Sequence, residues 1–191
     1  MTEANMGRIP LLRGVDIEHG PRDKLGTLFL KATDAARARG LRLYLTSLGD
    51  VLEVNEANRD SWGPLAPMYN SRLWGPDDDN AFGIVGIDDS GATVATHAVR
   101  LYRLGDRTLA EEAQSMRLFY RDPGSQQPPG EHCRVTAPTA GELSGTIAFS
   151  GGVWYRPDFR GRQLANIIPR IARAYSLTRW KTDYTVAINS E

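Results

Sequence analysis

Cysteine is nearly absent from this chain. Cys133 is the only one in 191 residues, which excludes an internal disulfide framework and any metal site built from several thiolates. Histidine is almost as scarce: His19, His97 and His132 stand too far apart to read as a ligand set. There is no excess of either charge, because Lys plus Arg and Asp plus Glu both number 23. A nucleic-acid binder usually carries a marked basic surplus, so nucleic acid is not expected as a partner. Long hydrophobic runs are missing too. The longest apolar stretches, such as Gly83 to Ile87, are far shorter than a membrane span requires, so no membrane partner is expected. The first residues, MTEANMGRIPLLRG, place charges and Pro10 where a signal peptide needs an apolar segment. These absences favour a reducing, cytoplasmic setting.

What is present is ordinary globular composition, with 41% hydrophobic and 24% charged residues, enough to build a sizeable core. Residues 1–21 read as an irregular arm rich in Gly and Pro. Asp23 to Arg39 has a helical apolar face and Gly40 as its stop. Leu41–Leu45 alternates like a strand, and a second helical region is expected from Leu52 to Asp60, resuming past Trp62 toward Gly75. Pro76 to Asn80 reads as a turn whose acidic triplet is a solvated loop before it is a metal site. Ala81–Ile87 and Ala92–Leu104 form a hairpin across Asp88-Asp-Ser-Gly91. Arg107 to Tyr120 reads as a helix, and residues 121–144 as a long loop.

The last fifty residues carry the functional signal. Gly145 to Tyr155 is rich in β-branched and aromatic residues and reads as a central strand, interrupted by Gly151-Gly152. Glycine inside a strand marks a bulge, a close approach or a simple kink. Arg156-Pro-Asp-Phe-Arg-Gly-Arg162 is a turn. From Gln163 onward Leu164, Ile167, Ile168, Ile171, Ala172 and Tyr175 fall at helical spacing, and Tyr184–Ile188 reads as a further strand. A strand, basic glycine turn, helix and strand make a parallel unit. The unpaired N–H groups at a helix opening, beside Arg160 and Arg162, suit a phosphate or pyrophosphate. Pro169 sets a competing register, in which the helix begins near Asn166, Pro169 sits in its first turn, and 160–165 is an ordinary loop.

Val153-Trp-Tyr-Arg-Pro-Asp-Phe-Arg-Gly-Arg-Gln-Leu-Ala165 resembles the coenzyme-A loop of the GNAT acetyltransferase superfamily, with Arg160 at the first motif position and Ala165 at the last. Gln163 replaces the motif's central glycine. The resemblance implies an α/β (α+β) GNAT-like acyl-CoA N-acyltransferase fold, a mixed central sheet flanked by helices. It divides the chain into an arm and helix at 1–40 and the acyltransferase domain at 41–191. The family's final helix and two strands, with the tyrosine proton donor on that helix, have no counterpart in this sequence. Asn189 matches an asparagine that often follows the family's fifth strand.

By the same resemblance, acetyl-CoA or another acyl-CoA is the co-substrate. Its pantetheine would pair with Val153, Trp154 and Tyr155, and its pyrophosphate would meet Arg160, Gly161, Arg162, Gln163, Leu164 and Ala165. The implied reaction is attack of an amine, from a small molecule or a peptide, on the thioester, and a homodimer is compatible with it. Amides of Val153 and Trp154 would hold the oxyanion. No catalytic base is assigned: Ile147–Ser150 holds no carboxylate, and Glu142 lies too far back. His97 reads more as a structural histidine than as a base, leaving water-relayed deprotonation as the default. A catalytically degenerate domain that binds acyl-CoA or a protein partner is the alternative.

Overall fold

Six strands join in the order β1-β2-β3-β4-β5-β6 in the computed structural model, which describes residues 7–75 and 79–188. They are β1 (Ile9–Pro10), β2 (Arg42–Thr46), β3 (Ala81–Ile87), β4 (Thr93–Arg103), β5 (Thr146–Tyr155) and β6 (Tyr184–Val186). Neighbours are antiparallel except β5 and β6, which run parallel. This is the mixed sheet that the sequence implied. Pro76, Asp77 and Asp78 of the acidic turn, and Asn189, lie outside the described residues.

The β3–β4 hairpin falls where the Asp88-Asp-Ser-Gly91 turn placed it. Asp88 closes the turn by accepting hydrogen bonds from Ser90 and Ala92. The arm is less irregular than its Gly and Pro content indicates: Ile9 and Pro10 pair with Leu45 and Tyr44, and a helical turn α1 (Leu11–Gly14) buries Leu11. Arg8 anchors the arm with two hydrogen bonds to Asp50. Helix α2 spans Arg22–Arg37.

Three expected elements move. The second helical region starts earlier, as α3 (Leu48–Ala57), because the Ser47 side chain caps the N–H of Asp50. It continues only as the single turns α4 (Arg59–Trp62) and α5 (Ser71–Trp74). The helix expected over Arg107–Tyr120 shrinks to α6 (Leu109–Gln114), since Met116 takes a left-handed φ of 63° and turns the chain out. A single turn α7 (Pro123–Gln126) interrupts the long loop. The largest correction is α8, which spans Ile168–Trp180 and does not begin at Gln163.

Two apolar layers sandwich the sheet. On one face α2 and α8 pack Phe29, Ile168 and Ile171 against Val99 and Ala148. Each large side chain buried there contributes about 1.5–3 kcal/mol. On the other face α3 and the following turns set Leu48, Val51, Leu65 and Tyr69 against Ala98, Ile147 and Phe149. Strand β5 is therefore covered on both faces, which leaves its lateral edge as the place where its backbone can be reached.

Candidate functional site

The glycine pair in β5 is a bulge. Thr96 faces Trp154 and Ala98 faces Gly151, so His97 alone spans Gly152 and Val153. Each glycine is required for a separate reason. A Cβ on Gly151 would lie 2.6 Å from the Tyr69 hydroxyl, and one on Gly152 would lie 2.7 Å from the Ala98 Cβ. Gly152 also takes φ 56°, and Thr96 Oγ1 donates to its carbonyl at 3.0 Å.

Strand β6 accompanies β5 only from Ile147 to Phe149, opposite Tyr184 to Val186. From Ser150 to Tyr155 the β6 side of β5 has no partner strand among the described residues. The Arg156 N–H donates to Val94 O at 2.9 Å. By strand alternation the Trp154 amide also faces β4, while the amides of Val153 and Tyr155 face the open side. Of the two amides named for an oxyanion, only that of Val153 is therefore aimed outward. The Val153 side chain is exposed. Trp154 is buried, stacks on Trp62 with centroids 5.6 Å apart, and donates from Nε1 to Ser61 Oγ.

After Tyr155 the chain makes a 3-10 turn at Pro157–Phe159. Arg156 fixes it, donating to Asp88 and Asp158, and Phe159 lies between the guanidinium groups of Arg156 and Arg162. The Arg162 carbon stands 3.9 Å from the ring centroid. The Arg160 side chain turns back onto the fold. Its Nε donates to Tyr155 O and its Nη2 to Ser61 O, so it holds the end of β5 against α4.

Gln163 occupies a left-handed conformation at φ 59°, which suits the glycine of the motif it replaces. A 3-10 turn at Leu164–Asn166 follows, and α8 opens at Ile168 with Pro169 in its first turn. This is close to the competing register. An interior proline would cost about 3 kcal/mol, and here it costs nothing because first-turn N–H groups have no helical acceptor. Residues 160–163 are consequently a loop, followed by a single 3-10 turn and not by the opening of the long helix, and no macrodipole stands directly behind them. They still offer donors: the N–H groups of Gln163, Leu164 and Ala165 find no backbone acceptor among the described residues. The Leu164 side chain is buried in the core.

Gly161, Arg162 and Gln163 form one wall of an open cleft of about 620 Å³, and Ala38, Arg39 and Gly40 form the other. Arg39 donates to Arg162 O at 2.7 Å, and Arg162 Nη1 returns a bond to Arg39 O at 3.1 Å. Nothing local in the sequence singles out Arg39, since 123 residues separate it from this turn.

The remaining candidates are placed as follows. His97 is 2% exposed, and its Nε2 shares a 2.7 Å hydrogen bond with Ser150 Oγ. Burial, helped by the charge of Arg173, pushes its pKa down to about 4, so it is neutral near pH 7. Tyr155 is pushed up to about 12 by burial. Tyr184 is 46% exposed. Burial also raises the Cys133 thiol, which disfavours the thiolate a nucleophile needs. Sequence reading missed Tyr69, whose buried hydroxyl has no hydrogen-bond partner among the described residues and lies against Gly151. Among the described residues no group of three or more His, Cys, Asp or Glu is placed to hold a metal ion, and no helix is long and apolar enough to cross a membrane.

The site thus defines a class: a mixed sheet with a bulged strand, an open seam beside that strand, and a basic glycine turn leading to the next helix. Neither a family model nor a curated protein matches the sequence. Among solved structures, a GCN5-related N-acetyltransferase from Ralstonia eutropha JMP134 aligns at 16% identity and TM-score 0.45, covering 80% of this chain and 85% of its own. A predicted acetyltransferase from Clostridium acetobutylicum, solved with acetyl-CoA, aligns at 10% identity and TM-score 0.46, with 79% and 82% covered. Ribosomal-protein-alanine N-acetyltransferase from Brucella melitensis biovar Abortus 2308 aligns at 13% identity and TM-score 0.43, with 79% and 81% covered.

Proposed function

We propose that this chain is a GNAT-like N-acyltransferase that moves an acetyl or other acyl group from acyl-CoA to an amine. One observation carries the reading: β5 loses its parallel neighbour beyond Phe149, immediately before the Gly151-Gly152 bulge, and the freed strand runs into a turn with unused amides. An extended pantetheine arm fits such a seam as an added strand, its amides bonding to the outward groups of Val153 and Tyr155. The diphosphate then lies at the cleft beside Gly161, Arg162 and Gln163. Arg160 acts on this site from behind, by fixing the end of the strand.

In the reaction the neutral amine attacks the thioester carbonyl, and the Val153 N–H stabilises the oxyanion. Collapse breaks the C–S bond and releases the coenzyme thiolate, which takes up a proton. The proton shed by the amine leaves through water, because β5 carries no carboxylate from Thr146 to Tyr155 and His97 is buried and engaged by Ser150. The acceptor is a small-molecule or peptide amine. A second reading, coenzyme binding without chemistry, is favoured by that missing carboxylate.

Calorimetric titration of acetyl-CoA into the wild-type chain and an Arg162→Glu variant tests this. Saturable binding that the variant loses supports the site. Absence of heat and of any thermal shift, with acetyl-CoA and with a longer acyl-CoA, overturns it. Coenzyme binding without turnover across an amine panel selects the second reading.

A further inference from the structure

Arg39 and Arg162 face one cleft; among the described residues neither makes a close ion pair with a carboxylate, although the charge of Arg162 reaches Asp158. Two cations held together without a counter-ion are unfavourable unless an anion visits or backbone oxygens compensate. Arg39 is partly compensated: Nε donates to Arg162 O at 2.7 Å and Nη1 to Ala35 O at 2.8 Å. Its remaining nitrogen, Nη2, reaches only Gln163 Oε1, at 3.2 Å and in an exposed setting. That is the longest of the three bonds and the only one to a side chain. Gln163 makes it from a left-handed backbone, a conformation that disfavours any residue with a side chain.

We propose that Arg39 is a phosphate-binding side chain of this site and that Gln163 Oε1 is a displaceable stand-in for a phosphate oxygen. The inference rests on the acyl-CoA reading and adds to it a residue from the N-terminal region and a built-in competitor. The stand-in is neutral, the incoming oxygen is charged, and a charge-assisted bond from guanidinium is about twice as strong as one to a neutral amide. The diphosphate therefore displaces the Gln163 side chain without moving Arg39, whose other two bonds hold the guanidinium fork in place. Gln163 weakens binding by the amount needed to release its own bond, and its backbone N–H remains free to donate.

Binding of acetyl-CoA and of acetylpantetheine, which lacks the diphosphate, is measured for wild type, Gln163→Gly, Arg39→Met and Arg39→Lys. Gln163→Gly binds acetyl-CoA several-fold tighter, since a competing bond of about 1 kcal/mol is removed. Arg39→Met binds it roughly ten- to a hundredfold more weakly, through loss of a charged hydrogen bond. Arg39→Lys recovers part of that loss, and acetylpantetheine binds all four proteins alike. Equal acetyl-CoA affinity across the four proteins overturns the proposal and leaves the coenzyme site standing. A loss in Arg39→Met that extends equally to acetylpantetheine also overturns it, because it shows a structural effect. If none of the four binds acetyl-CoA, the proposal falls together with the reading it rests on. If Arg39→Met does not fold, Gln163→Gly decides: tighter binding supports the proposal and unchanged binding overturns it.

Discussion

Gly152→Ala is the most direct probe of the bulge. Its φ of 56° places an L-residue in the left-handed region, at about 1–2 kcal/mol. The new methyl group meets the Ala98 Cβ at 2.7 Å, with Ala98 N at 3.5 Å and Leu65 Cδ1 at 3.6 Å. Ala98 sits in the middle of β4 and is fully buried, so it has nowhere to go. Overpacking of this kind costs about 1–3 kcal/mol. The restricted unfolded chain returns about 0.4–1 kcal/mol. The net loss is about 2–4 kcal/mol, or roughly 5–15 °C in Tm for a domain of this size. Gly161→Ala is the control. It too has positive φ, at 75°, but nothing lies within 4 Å of its Cβ, so it loses only about 1 kcal/mol by strain alone. Urea unfolding of both variants, at matched m-values, separates backbone strain from packing. Equal losses would refute the claim that Ala98 holds the bulge shut.

Three further outcomes follow from side chains near the seam. The folded His97 pKa of about 4 lies below its ordinary value near 6.5, so the unfolded chain takes up this proton first. The resulting stability is complete above about pH 6.5 and is lost as pH falls toward 4, by on the order of 3 kcal/mol. Urea midpoints at pH 7.5 and 5 should differ in wild type and converge in His97→Gln. Tyr69→Phe removes a buried hydroxyl with no partner among the described residues, so thermal unfolding should show an unchanged Tm or one raised by about 2–4 °C, for a gain of about 1 kcal/mol; a clear fall would refute its being unsatisfied. The Asp88 carboxyl is held below its usual range, chiefly by the Ser90 hydroxyl, with help from the Ala92 N–H and Arg156. Its contribution is present above the ordinary carboxylate pKa and lost below it, so Asp88→Asn should be less stable than wild type at pH 7 and should lose less on acidification, as followed by circular dichroism.

Local chemistry decided which features were readable. Ala81–Ile87 is apolar throughout, as a strand buried on both faces is, and it ends in Asp-Asp-Ser-Gly, so the hairpin was visible from neighbours alone. The bulge was visible because two adjacent glycines have few other uses inside a strand. Gly49 in the first turn of α3 obscured a helix that Ser47 caps. At Pro169 the sequence carried both registers: the apolar stripe from Leu164 holds in either, because Leu164 and Ile167 are buried from the 3-10 turn as well. Only the missing N–H of proline separates the two registers, and it prevailed. The second wall of the cleft was illegible in principle. Nothing local to Arg39 indicates that its guanidinium will meet a turn 123 residues later.

The half-zipped edge of β5 also bears on tolerance to change. Backbone groups recognise backbone groups, so a guest lying along Ser150–Tyr155 is read by length and spacing of its amides, and side-chain drift along the strand leaves that reading intact. Under the acyltransferase reading proposed above, selection among acceptors then falls to whatever stands beyond the seam's end. Turns such as α4 and the segment bearing Tyr69 are less free to drift, because Ser61, Trp62 and Tyr69 brace the strand whose edge is read.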